Sequence, residues 1–347
     1  MARTAVVVFN LGGPDSPEAV APFLFNLFND PSIIRQPGPI RWLIAKIISA
    51  RRAPVAREIY HQIGGRSPIL EETRRQAEAL QRALGGEDDY CVFIGMRYWH
   101  PFVEECVAEI KADVPERIIL LPLYPQFSTT TTESFQRVWK LAAAKGGLDC
   151  PTTTICCYPT EPGFIDTMVA LTRSGLDRIE QKPVRVLFSA HGLPEKFVRA
   201  GDPYQAQVEM TVRAVVDGLA ISDLDYTICY QSRVGPVEWL RPYTDDEIRR
   251  AGKDGISLVV TPVAFVSEHS ETLVELDIEY ARLAAESGVP EYVRCATVGT
   301  DPRFIQGLAR LVRSCGDEGI LSGLGRKICP DAFSACAYCR TREGLNG

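Results

Sequence analysis

Eight apolar runs with strand character punctuate this chain, at residues 5–11, 90–95, 117–124, 152–158, 184–190, 226–230, 256–265 and 292–298. Segments of helical period lie between them, at 68–84, 132–145, 163–180, 203–219 and 302–312. No other feature narrows the fold so much. Strands joined through helices run parallel, and a parallel sheet is covered by helices on both faces. The simplest partition is an α/β chain of two similar halves, each with a four-stranded parallel sheet flanked by helices. These are residues 1–160 and 161–322, followed by a cysteine-containing tail, 323–347. Ligands of open α/β sheets bind outside the carboxyl ends of strands, so a cleft between the halves is the expected place for one.

The formal charge is 38 minus 44, or −6, and no dense Lys/Arg block occurs, which argues against a nucleic-acid partner. The first residues run into a short apolar segment without the pattern of a signal peptide, so a cytoplasmic location is expected. No apolar run reaches the roughly 18 to 20 residues of a membrane span. The nearest, 40–48, mixes Trp42 and isoleucines with cations and is flanked by Arg35, Arg51 and Arg52. It suits a segment at a bilayer surface or the lip of an apolar pocket, and equally an amphipathic core helix.

Residues 267–280 follow the apolar run 256–266 and carry five acids with no lysine or arginine. At about 100° per helical residue, Glu268, Glu271, Glu275 and Glu279 share one sector, while Leu273, Leu276 and Tyr280 form a separate apolar stripe. An acidic helix face is ordinarily a solvated one. Carboxylates four apart repel, however, and with no interleaved cation before Arg282 this ridge reads as a place that holds or passes metal ions or protons. His269 can join it only if 267–270 is a loop or an irregular first turn.

Residues 184–190 form a strand that delivers His191 at its carboxyl end, ahead of Gly192 and Pro194. Imidazole is the side chain best suited to proton exchange near neutrality. The glycines of 10–14 and 63–68 match neither dinucleotide nor P-loop patterns and read as tight turns. Aromatics and hydroxyls beyond two strands, 121–128 and 95–101, suggest a wide apolar pocket for a flat molecule bearing carboxylates. Core packing explains many of them equally well; Arg97 instead requires an anion.

Eleven cysteines, an odd number, are a poor basis for a disulfide framework. Cys329, Cys336 and Cys339 are spaced as a thiolate cage for zinc or an iron–sulfur cluster, with Cys150, Cys156 and Cys157 as candidates for a fourth ligand.

Taken together, Ser189-Ala190-His191-Gly192-Leu193-Pro194, Gly201-Asp202-Pro203-Tyr204, Gln231-Ser232-Arg233-Val234-Gly235-Pro236 with Trp239-Leu240, and the run 267–280 resemble the motifs of the ferrochelatase family, in the family's order. Asn10 to Pro14 and Arg97-Tyr98 with His100-Pro101 fit its first half. The resemblance spans essentially residues 5–320. It implies two Rossmann-like domains of the chelatase-like fold, and insertion of ferrous iron into protoporphyrin IX with release of two protons. Carried over by position, His191 is the catalytic histidine, Glu271 its partner carboxylate and His269 a neighbour, with His191 and Glu271 touching the iron substrate. Glu268, Glu275 and Glu279 form a metal or proton relay. Arg97, Tyr98, Ser128 and Trp239 fall at the substrate pocket, and an apolar lip at 33–52 contacts membrane in some members. The tail resembles a 2Fe-2S site, with Cys329, Cys336 and Cys339 and, of the three candidates, Cys157. A homodimer is compatible with it. Alternatives are a cobalt chelatase or a non-catalytic haem or metal carrier.

Overall fold

The computed structural model describes residues 3–85, 90–316, 319–330 and 332–339. Residues 340–347 of the expected tail lie outside them. In chain order the first elements are β1 (Thr4–Asn10), α1 (Val20–Phe28), α2 (Gly38–His61), α3 (Ile69–Leu84), β2 (Tyr90–Met96), α4 (Val103–Asp113), β3 (Arg117–Pro122), α5 (Thr132–Gly146) and β4 (Thr152–Cys157). There follow α6 (Pro162–Asp177), β5 (Val184–His191), α7 (Glu195–Arg199), α8 (Tyr204–Leu219), β6 (Tyr226–Gln231), α9 (Thr244–Asp254) and β7 (Ser257–Pro262). A π-helix (Glu271–Glu279), α10 (Tyr280–Glu286), β8 (Tyr292–Arg294), α11 (Pro302–Arg313) and β9 (Gly319–Ser322) complete the chain.

All eight expected strands form, in two sheets ordered β2-β1-β3-β4-β9 and β6-β5-β7-β8. The first sheet has five strands rather than four. Its extra member, β9, has four residues including a glycine and a serine, too short and too mixed to register as an apolar run. The chain divides into one unit of Met1–Cys156 with Ala309–Leu321, and a second of Cys157–Leu308 with Ser322–Gly347. Residues 309–321 thus return from the second unit to the first.

In the first unit β1 pairs in parallel with β2 and β3. All seven β1 residues are buried, as a central strand covered on both faces requires. Phe9 stacks on Phe135 of α5, with centroids 4.0 Å apart and planes within 8°, amid Val7, Phe93, Val103 and Trp139. In the second unit β5 is central between β6 and β7, and its register sets His191 beside Gln231.

The expected lip becomes α2, a longer helix that continues through Pro54. It leaves Ile40, Trp42, Leu43 and Ile47 between 44% and 54% exposed. No described helix is long and apolar enough to cross a membrane.

Phe9→Ala should destabilise the protein by about 3–5 kcal/mol, because truncating a wholly buried, stacked ring leaves a cavity in a close-packed core. Denaturant unfolding measures it, and a loss under about 1 kcal/mol would mean that the site collapses around the smaller side chain.

Candidate functional site

In the second unit His191 closes β5 and is turned by the residue after it. A Cβ on Gly192 would lie 2.8 Å from the Gln231 carbonyl and 3.1 Å from the Trp239 ring, so only glycine fits. The His191 Nδ1 lies 2.5 Å from the Gly192 carbonyl oxygen. A carbonyl only accepts, so Nδ1 carries the hydrogen and Nε2 is the nitrogen left for exchange. That Nε2 stands 3.5 Å from Glu271 Oε1.

His269 repeats the arrangement. Its Nδ1 donates to the Ser267 carbonyl at 3.1 Å, and its Nε2 is 3.5 Å from Glu271 Oε2. It belongs to the loop that precedes the π-helix, so the condition for sharing the site with Glu271 is met. Imidazoles anchored through one ring nitrogen and presenting the other are the arrangement found in metal ligands and in proton-exchanging pairs. Phe265 packs edge-on against both, 6.5 Å from the His191 ring and 4.6 Å from that of His269.

Electrostatics separate the carboxylates. Burial opposes the His191 imidazolium, but Glu271, the Gly192 carbonyl and Glu275 outweigh it and raise its pKa to about 9. Burial also opposes ionisation of Glu271, yet His191 and His269 hold it well below the usual carboxylate range. Glu275 goes the other way: burial and the neighbouring Glu271 push it up, offset in part by Ser232, Gln231 and Tyr280. Those groups surround it closely. Gln231 Nε2 and the Ser232 N–H donate at 3.0 and 2.9 Å, the Tyr280 hydroxyl at 2.9 Å, and the Ser232 hydroxyl also donates.

The acidic segment is thus a π-helix with i→i+5 pairing, a form rare in general and frequent at functional sites. Its buried residues are Thr272, Val274 and Leu276, and Leu273 of the expected stripe is only partly buried. Glu275 and Glu279 line a cavity of about 470 Å³ with Tyr230, Ser232, Arg233 and Tyr280. Glu268 departs from the expected row. Its Oε1 accepts from Arg294 at 2.7 Å and from the Thr297 N–H at 2.9 Å, and the same guanidinium binds Asp277. The cation missing from the segment comes from β8, twenty-six residues beyond Glu268.

Trp239 lies beside this site, its ring 6.4 Å from that of His191 and its Nε1–H on the Val234 carbonyl. The other expected substrate residues belong to the first unit. The anion that Arg97 requires is Asp30, wholly buried at the end of α1. Asp30 Oδ2 accepts from Arg97 at 2.7 Å, from the Tyr98 hydroxyl at 2.8 Å and from Ser134, while Oδ1 takes Arg137 at 2.5 Å and the Ser32 N–H at 2.7 Å. Burial opposes the Asp30 charge, and Arg97 with these donors brings its pKa below the ordinary value. Tyr98 is itself fully buried, and Ser128 is buried with its hydroxyl 2.9 Å from that of Thr130. Sequence reasoning missed Asp30, although the need of Arg97 for a partner was the signal.

In the tail, Cys336 is pushed up by a hydrogen bond with Cys329, by burial and by the Cys329 charge, with Cys339 partly offsetting. Cys157 is buried at the end of β4, and Cys150 packs on the first unit's core. Among the described residues no three donor side chains are already arranged to hold a metal ion.

The arrangement of two parallel α/β sheets is found in a solved structure of low sequence identity. SirB from Bacillus subtilis with Fe3+ superposes with a TM-score of 0.55 at 12% identity, over 90% of this chain and 95% of that one, a likeness of fold alone. Residues 3–315 match the ferrochelatase family model. Ferrochelatase of Caulobacter vibrioides (strain NA1000 / CB15N) is 52% identical over 350 residues, 99% of each chain, and that of Rickettsia bellii (strain OSU 85-389) is 50% identical over 341 residues, 96% of this chain and 94% of its own. The chain belongs to the ferrochelatase family.

Asp30→Asn should destabilise the protein by about 3 kcal/mol or more, since it leaves two guanidiniums facing each other across a buried amide. Arg137→Met, at a half-exposed partner, should cost about 1 kcal/mol. Equal losses in denaturant unfolding would show that Asp30 is not the hub.

Proposed function

We propose that this protein inserts Fe2+ into protoporphyrin IX to form protohaem, with His191 and Glu271 at the point of metallation. The observation that carries the proposal is Glu271 between two imidazoles that each offer Nε2. Two neutral rings would aim lone pairs at a carboxylate, so the site demands a cation, either a proton or the incoming metal.

Metallation requires two pyrrole N–H protons to leave as iron arrives. At neutral pH the His191–Glu271 pair holds one proton as imidazolium and carboxylate. Fe2+ approaching Glu271 loosens the hold of the carboxylate on that proton, which leaves by way of Glu275 toward solvent. Once the proton has gone, Nε2 is free to accept one from a pyrrole. Glu275, whose affinity for a proton is raised while that of Glu271 is lowered, is the next acceptor, since neighbouring carboxylates driven apart in pKa divide into donor and acceptor. Exposed Glu279 and the cavity beside it lead outward to solvent. Glu268, held by Arg294, stands aside as a charge that fixes the loop. Trp239 supplies an apolar wall beside His191. Arg97 and Tyr98 support the substrate pocket through the Asp30 network rather than by their free ends, and Ser128 through its turn with Thr130.

Two accessory features belong to the proposal. Thiolates are the ligands of iron–sulfur clusters, and Cys329, Cys336 and Cys339, with Cys157 as fourth ligand, would hold a 2Fe-2S cluster that ties down the tail. The half-exposed Ile40, Trp42, Leu43 and Ile47 of α2, with Lys46 among them, suit peripheral contact with a bilayer surface.

His191→Ala should lower the anaerobic rate of iron insertion about a hundredfold or more while protoporphyrin still binds, the usual scale for a lost acid–base group. Retention of near parental activity would refute the assignment. In the parent protein the rate should rise with pH toward a plateau above about 9, because the neutral imidazole is the acceptor and its pKa is raised. Glu271→Gln removes the main cause of that elevation, and the midpoint should fall by about one unit or more. A midpoint that stays in place would separate the observed titration from this pair. Freshly purified protein should absorb in the visible as a 2Fe-2S protein does, and Cys336→Ser should abolish the colour; a colourless parent protein would exclude the cluster.

A further inference from the structure

The first turn of α8 touches both the cysteine tail and the strand end that carries His191. Gln207, wholly buried, donates its side-chain N–H to the Cys329 sulfur at 3.1 Å. One turn earlier Tyr204 donates its hydroxyl to the backbone carbonyl of His191 at 3.0 Å. The bend that leads into the helix is the seat of the tail. The Gly201 carbonyl accepts the Ala335 N–H at 3.2 Å, and a Cβ on Gly201 would lie 2.5 Å from the Ser334 hydroxyl. With φ at +91°, this position is also one that glycine alone adopts without strain. Asp202, 1% exposed, accepts the Tyr204 N–H at 3.0 Å and locks the bend to the helix.

The His191 carbonyl is a sensitive place to hold. It belongs to the peptide unit that joins His191 to Gly192, and the N–H of that unit already donates to the Gln231 carbonyl at 2.8 Å. The next carbonyl, that of Gly192, receives the ring Nδ1–H. Fixing the peptide plane at its oxygen therefore fixes the acceptor that orients the imidazole. A shift at Tyr204 would be transmitted to the ring through two consecutive peptide units.

We propose that Tyr204 and Gln207 are positioning residues that couple the seating of the cysteine tail to the orientation of the His191 ring. Displacement of the Cys329 sulfur, by whatever it binds or whatever modifies it, then alters iron insertion without any contact with the porphyrin. This rests on His191 acting in metallation as proposed above.

The test uses the full-length chain with Tyr204→Phe, Gln207→Met and the double variant. Each is measured for anaerobic iron insertion into protoporphyrin, for porphyrin binding, and for the NMR shift of the His191 ring Cε1. Each single change should lower kcat about fivefold, the scale of one ordinary hydrogen bond, and leave the porphyrin KM within about twofold. Both should move the His191 resonance in the same direction. The double variant should be no worse than the more severe single by more than about a factor of two, since both cut one chain of contacts. A folded Gln207→Met protein, with parental Tm, that keeps the parental His191 resonance would overturn the coupling; so would losses that multiply in the double variant, or a loss confined to KM. Should Tyr204→Phe fail to fold, Gln207→Met and the resonance decide alone. The resonance also separates this proposal from the catalytic one. Full activity in His191→Ala would sink the role of His191, while a shifted ring in Gln207→Met would still report the link to the tail.

Discussion

The charge on Glu271 organises the second unit. This half-buried carboxylate is held as an anion by the two imidazoles that face it, and each ring is held by a hydrogen bond from its other nitrogen to a backbone carbonyl. The backbone thus sets the orientation of both rings, and the rings set the protonation of the acid. The residue after β5 contributes one carbonyl and the loop after β7 the other, so the two strands that meet at the middle of the sheet fix the chemistry at their ends. A side chain able to accept or release a cation is thereby kept in place by groups that never change charge.

Much of this architecture is legible in the sequence, for definite reasons. Buried parallel strands must be nearly continuous apolar runs, so β1, β3, β5 and β7 announce themselves, and the alternation with helices dictates their direction. His191 is legible because it ends such a run before Gly192. Strand β9 is not, because four residues at a sheet edge need little hydrophobicity. The course of residues 309–321 back to the first unit is likewise set by contacts distant in sequence.

The site shows the same division. Periodicity groups Glu271, Glu275 and Glu279, since four residues make nearly one turn in either an α- or a π-helix. It cannot reveal that the turns widen, nor that Ser232 and Gln231 converge on Glu275, because those donors arrive through the pairing of β5 with β6. Asp30 and Arg294 escape for a related reason. Each is a single charge that meets its partners from other elements, and no local pattern marks it.

Arg294 has a consequence for how the acidic segment acts at a distance. Five acids along 267–280 would by themselves surround the segment with a field of one sign on every side. By engaging Glu268 and Asp277 together, Arg294 quenches two of them and leaves Glu275 and Glu279 uncompensated by it. The segment thereby gains a polarity its sequence lacks: its charge is muted toward β8, and on the other flank Glu275 and Glu279 share the cavity with Arg233, Arg249 and Arg282. The charge layout of the segment is then set by a residue that lies outside it.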